Sequence, residues 1–372
     1  MDKTFKRDTR IVQLKSPWPV SVSLYTDELL SSWLIRNALA NGCDPMSLTS
    51  YLWGSWRLWA TDFDRTISAE RLETLARTFT CSVSTIQKTT LKEVASKFHS
   101  QPLTQKEMWP WMLSIGSRNR NRKGGLQYCP DCFKGTDPYF KKGWRSVWHT
   151  CCPQHGLTLL DKCENCRLPL EPHKLEALWH LFTNCPNCGF ELQSAQAQPL
   201  TKNAALFQHD TDSITGSNTH NYHGHIINAC DWYKLSTFFI QLVKRITKRN
   251  HLRLLKFAEL IKLPIENIAH HSAAIENMTT KERVNILSSV QHLISIKPSE
   301  LLTSLLECNV SQQAFSPKNV VIPNCLITIS QQLPYTAYGA KNNPYSKPIL
   351  PAPRPNHEVE RRAISIIRSL NK

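Results

Sequence analysis

Glycine is scarce in this chain, 12 of 372 residues, and acidic residues are outnumbered, with 29 Asp and Glu against 45 Lys and Arg. No G-x-x-x-x-G-K-[ST] loop is present to cradle phosphates, so nucleotide hydrolysis is not expected. No H-x-E precedes the first C-P-x-C pair, which excludes the zinc deaminase pattern. No acidic cluster suggests the metal-bound carboxylates of a strand-transfer enzyme. Long apolar runs are missing too. The longest near a helix is the short stretch 238–243, far below the roughly 18 residues of a membrane span. The opening MDKTFKRDTR is charged with no apolar stretch behind it, so no secretory leader is expected and the chain reads as cytoplasmic. Tryptophan, 11 residues in all, is absent after Trp232.

What is present is positive charge and cysteine. The formal charge is +16, which points to a polyanionic partner; without a membrane span, that partner is nucleic acid. Hydrophobic content of 41% with 20% charged residues marks globular material. The 13 cysteines are odd in number, in a chain read as cytoplasmic, which argues against a disulfide framework and for metal.

Eight residues form four ligand pairs: Cys129 and Cys132, Cys152 and His155, Cys163 and Cys166, Cys185 and Cys188. Two intervening residues let a tight turn aim both donors at one point, and a spacer of roughly 15–20 residues brings the next pair back. Eight donors suit two tetrahedral zinc ions. Such fully liganded sites are structural, because a catalytic zinc keeps a position open for water. Sequential pairing is the simplest; a cross-braced pairing and a swap of Cys151 for Cys152 remain open. Cys43, Cys81, Cys230, Cys308 and Cys325 read as inert core thiols. Tyr139, Phe140, Trp144 and Trp148 read as the small core of a ribbon, or as platforms for stacking bases.

The pattern predicts a mainly α fold with small zinc-ribbon insertions. Residues 1–124 form an N-terminal helical part, 125–195 a tandem zinc-ribbon part, 196–225 a linker, 226–340 a C-terminal helical part, and 341–372 a proline-rich tail with a terminal helix through Ile364, Ile366, Ile367 and Leu370. In the first part, Thr26 is the expected cap of a helix bearing Leu29, Leu30, Trp33 and Leu34, ended by Asn41-Gly42; Asp44-Pro45 opens the next. Leu72 to Ile86 reads as a helix-turn-helix or an ordinary helical hairpin, with Ser84 capping a second helix that presents Thr85, Gln87, Lys88 and Thr89. Arg118, Arg120, Arg122 and Lys123 form either a phosphate strap or a solvated connector. Lys244, Arg245, Lys248 and Arg249 head a basic run that continues through Arg253 and Lys256, and reads either as a nucleic-acid surface or as a solvated helix face. Thr279 or Thr280 caps a helix with Leu287, Val290, Leu293 and Ile294 buried, and Pro298-Ser299-Glu300 opens a shorter one.

Three stretches together resemble the TniQ family of transposition target-selection proteins. The first is the helix Thr26-Asp27-Glu28-Leu29-Leu30-Ser31-Ser32-Trp33-Leu34-Ile35-Arg36, with Leu29-Leu30 where the family carries Ser-Leu. The second is Tyr128-Cys129-Pro130-Asp131-Cys132 with Tyr139-Phe140 and Trp144 behind it. The third is Cys152-Pro153-Gln154-His155-Gly156 followed by Leu159-Leu160-Asp161-Lys162-Cys163-Glu164-Asn165-Cys166. The resemblance covers roughly residues 17–190. It implies a non-catalytic adaptor that binds target DNA, directly or through a CRISPR effector complex carrying guide RNA, and recruits an AAA+ ATPase regulator. It is also compatible with a homodimer. A stand-alone zinc-containing DNA-binding regulator shares every compositional feature but lacks the ATPase partner.

Overall fold

The computed structural model describes residues 18–97, 103, 109–116, 121–248, 251–269 and 273–335. Arg118, Arg120, Arg249 and the tail 341–372 with its terminal helix lie outside the described residues.

Helix α1 spans Leu30–Ala40 and is almost wholly buried. Its start is not capped by Thr26. Asp64 reaches in from another segment and accepts the Ser31 N–H at 2.7 Å and the Ser31 hydroxyl at 2.8 Å. The reason is that Asp27 and Glu28, which a cap at Thr26 would have placed in the first turn, run alongside 140–142 instead, with Glu28 bridging Lys141. Asn41 and Gly42, at φ 65°, close the helix as expected. Pro45 opens α2, Pro45–Trp53, as its sequence predicted. Helices α3, Ala69–Thr78, and α4, Val83–Gln87, follow, with Thr80 at φ 53° in the turn between them. Ser82, not Ser84, caps α4, accepting the Thr85 N–H at 3.0 Å. Leu72, Leu75, Phe79 and Ile86 share one core with Trp33 and Trp59. A short α5, Lys92–Ser96, completes this part.

The central segment is held by little regular structure. It contains α6, Pro130–Phe133, and a two-stranded ribbon of β1, Cys151–Cys152, and β2, Leu157–Thr158. Beyond it, the expected linker 196–225 instead holds α7, Lys202–Ser217, and the first strand of a hairpin, β3, His220–Tyr222, paired with β4, His225–Ile227. Gln208 on α7 explains why this stretch is ordered. Its buried amide accepts the backbone N–H groups of Thr150 and Cys151 at 3.0 and 3.1 Å and donates to the Cys151 carbonyl at 3.1 Å.

The C-terminal helices are α8, Ala229–Thr247, α9, Leu252–Leu260, α10, Thr280–Ser295, α11, Pro298–Glu307, α12, Gln312–Phe315, and α13, Ile327–Gln332. Thr279 and Glu282 form a full capping box at the start of α10. Leu287, Val290, Leu293 and Ile294 are its buried stripe, as their spacing predicted. One continuous core runs from Leu29 through the cysteine-rich centre to Leu333. The described residues up to Pro334 fall in one compact unit. The fold is mainly α with zinc-ribbon-like insertions. No helix among the described residues is long and apolar enough to cross a membrane.

Candidate metal centres and nucleic-acid face

Cys129, Cys132, Cys152 and His155 converge in one knot, and Cys163, Cys166, Cys185 and Cys188 in another, with all donor atoms of each within 4.8 Å of one another. The pairing is sequential, and the cross-braced alternative is not the geometry formed. In the first knot, the Cys132 and Cys152 sulfurs are 3.6 Å apart, and His155 Nδ1 lies 3.5, 3.4 and 3.5 Å from Cys129, Cys132 and Cys152. In the second, Cys163 to Cys188 and Cys166 to Cys185 are both 3.7 Å. Four thiolates about 2.3 Å from a common tetrahedral centre stand about 3.8 Å apart, and an imidazole nitrogen stands slightly closer to its thiolate neighbours. A disulfide would need about 2.05 Å. The separations therefore have the size of a metal tetrahedron, and each knot can hold one ion. Cys151 is turned away, donating its thiol to Gln208 at 3.4 Å.

The local folding of these turns explains the glycine that follows two of the four pairs. In three of the four pairs, the residue after the second ligand is left-handed: Gly156 at φ 65°, Arg167 at 59° and Gly189 at 72°. Its N–H closes the turn onto the carbonyl of the first ligand, at 2.9, 3.0 and 2.8 Å. The Cys129 pair differs by opening α6, with Pro130 at its first turn. Phe140, Trp144 and Trp148 are buried around the first knot, which makes them its core rather than stacking platforms. Tyr139 is half-buried and stacks on Tyr25 at 4.5 Å. The five isolated cysteines are free thiols, partly rather than fully buried.

The opening helix is tied to this centre by buried polar contacts. Glu28 accepts from Ser32 Oγ and Arg36 Nη1, both at 2.8 Å. Ser32 Oγ in turn accepts the Phe140 N–H at 3.0 Å, and Tyr139 donates its hydroxyl to Asp27 at 2.7 Å. Burial outweighs the Arg36 guanidinium and pushes the Glu28 carboxyl up to about 7. Arg145, fully buried, donates to Asp62 at 2.6 Å, to Asp64 at 3.3 Å and to the Leu113 carbonyl at 2.8 Å. Arg283 of α10 donates to the carbonyl of Val147 and to Gln127 Oε1. None of Gln127, Arg145, Gln208 or Arg283 showed in the sequence which groups it ties together, because each reaches partners 17 or more residues away, Arg283 also donating to Thr280 within its own first turn.

Of the residues expected to meet nucleic acid, Thr85, Lys88 and Lys123 are exposed. Thr85 lies within hydrogen-bond distance of the capping Ser82, at 2.6 Å between hydroxyls. Lys88, Gln87 and Lys92 stand at the end of α4 and the start of α5. Arg122 is a correction: it is buried, its N–H bonded to Glu171 at 2.6 Å, and desolvation lowers its pKa. Lys244 and Arg245 are corrections too. Lys244 Nζ donates to the Ala273 carbonyl, and Arg245 donates to the carbonyls of Ala314 and Phe315 at 2.7 and 2.9 Å, where it caps the end of α12. Carbonyls at a helix C-terminus lack intrahelical partners, and Arg245 turns inward to two of them, whereas Lys244 meets a loop carbonyl. Lys248 is exposed, and Arg253 donates to the Asn309 carbonyl at 3.0 Å.

The fold and the two four-ligand knots define an α-helical protein built around zinc-ribbon-like centres. Residues 19–159 match the model of the TniQ family, so this segment is similar to the proteins of that family. The match runs from the opening helix through the first knot, so it includes both sides of the Glu28–Ser32–Phe140 junction. No curated protein matches the sequence.

Proposed function

We propose that the protein is a non-catalytic target-selection adaptor of a DNA transposition system. It binds a target, as DNA or as a guide-RNA CRISPR effector complex, and recruits the AAA+ ATPase regulator. The observation that carries this is the joined arrangement of opening helix and first knot within the family-matched segment. Both knots hold zinc, with Cys129, Cys132, Cys152 and His155 as one ligand set and Cys163, Cys166, Cys185 and Cys188 as the other. Each ion has four protein ligands, so its contribution is folding energy rather than chemistry. Thr85 and Lys88 on α4, with Lys123 and Lys248, supply the contacts to nucleic acid.

A recruitment assay tests this reading. Target DNA, or the guide-RNA effector on its DNA, is immobilised, and purified regulator is passed over it with and without this chain at two salt concentrations. Retention of the regulator only in the presence of the chain is the expected result. Sequence-specific DNA binding by the chain with no effect on the regulator would replace the adaptor with a stand-alone DNA-binding regulator.

A further inference from the structure

The loop between the two halves of the second knot presents three large apolar side chains to solvent. Leu178 is 85%, Trp179 77% and Leu181 71% exposed. Exposed single apolar residues are ordinary, but a tryptophan flanked by two leucines is an anchor of the kind that dominates protein interfaces.

The loop is built to hold them there. Its first end is fixed by Leu175, buried in the N-terminal core. Its second is fixed by Phe182, whose ring packs against Phe133 and Phe140 at 6.0 and 5.4 Å. Between them, the N–H groups of Trp179 and His180 both bond the Glu176 carbonyl, at 3.0 and 2.9 Å. The Glu176 N–H bonds His180 Nδ1 at 3.2 Å, and the Leu181 N–H bonds Asn184 Oδ1 at 2.6 Å. Ala177 N–H is held by Asp44 Oδ1 at the start of α2, at 2.8 Å. A turn with so many internal bonds has little freedom left to lose on binding, which lowers the entropic cost of docking.

Charge decides what it docks against. From Glu176 to Phe190 the sequence holds no Lys or Arg, and its one charged side chain is the acidic Glu176, in a chain with a formal charge of +16. Nucleic acid and anionic lipid are both recognised with lysine and arginine around any aromatic contact, and this window supplies none. Its complement is an apolar protein surface. We infer that the 176–182 turn is a protein-docking knob, with Trp179 seated in an apolar pocket of a protein partner and Leu178 and Leu181 closing the rim. This rests on the adaptor reading, and the partner is a protein of the transposition machinery rather than its nucleic acid.

The test uses full-length protein, wild type and Trp179→Ala, with Leu178→Ser/Leu181→Ser as an independent second variant. All three residues are exposed, so melting temperature and metal content should match the wild type. Binding is measured to three probes: the purified AAA+ regulator, a DNA duplex, and vesicles containing anionic lipid. The expected result is a loss of about tenfold or more in regulator affinity for both variants, with duplex and vesicle binding unchanged. Unchanged regulator affinity in the variants overturns the knob while leaving the adaptor reading intact. A loss confined to the duplex or the vesicles overturns it in favour of nucleic acid or membrane. A wild-type protein that does not bind the regulator overturns the adaptor reading and the knob together.

Discussion

At the scale of single residues, two kinds of side chain hold the centre together, and only one kind is readable in advance. The eight knot ligands are legible because a two-residue spacing is a local constraint, and a turn of that size repeats its spelling. The buried Gln127, Arg145, Gln208 and Arg283 are not, because the sequence carries no record of which carbonyl or carboxylate a polar side chain will meet across the fold. Arg145→Ala should cost about 3–5 kcal/mol, because it leaves Asp64 buried without its guanidinium partner; chemical denaturation measures it. Glu28 gives a pH dependence. The folded carboxyl keeps its proton up to about pH 7, whereas an unfolded one releases it near 4.5. Between those values the folded state binds more protons, so its stability falls as pH rises through the window, by on the order of 3 kcal/mol in total. Glu28→Gln should remove that slope in denaturation series at pH 5 and pH 8. Equal slopes in the two proteins would show that the carboxyl is ionised throughout.

At the scale of elements, helix stripes and proline starts were legible, and caps were less so. The buried stripe of α10 and the Pro45 and Pro298 starts came from patterns within a turn or two. The cap of α1 could not, since Asp64 supplies it from 33 residues away. The basic run that begins in the last turn of α8 shows the same limit. Charge density alone does not separate lysines facing water from those meeting carbonyls. Arg245→Ala should therefore lower stability by about 1–3 kcal/mol through loss of the α12 cap, with no change in salt dependence of binding. Lys88→Ala and Lys248→Ala should do the reverse: stability within about 0.5 kcal/mol of wild type, and a salt slope flatter by about one unit for each phosphate no longer neutralised. Fluorescence anisotropy at a series of salt concentrations separates the two cases, and an unaltered slope for both lysines would remove those positions from the nucleic-acid face.

At the scale of the molecule, composition marked where tryptophan stops and where the paired cysteines end, but not how the stretch between the centre and the C-terminal helices folds. The stretch 196–225 lacks the motifs on either side of it, yet α7 within it is stitched to the first knot through Gln208. A core that runs unbroken through both knots couples metal to the C-terminal helices, and Phe182, packed against this core and the N-terminal one, links the two. Elemental analysis should find two zinc per chain, and chelation should melt the helical parts together with the centre in one transition. Two separated transitions would mean the helical parts stand without the knots. The central claim, that the chain directs transposition without catalysing it, is tested most directly by reconstituted insertion with purified transposase and regulator, with and without this protein. Insertion at the designated target should appear only when the chain is present, while the chain alone neither hydrolyses ATP nor cuts or joins DNA. Targeted insertion in its absence, or strand cleavage by the chain alone, would contradict the account.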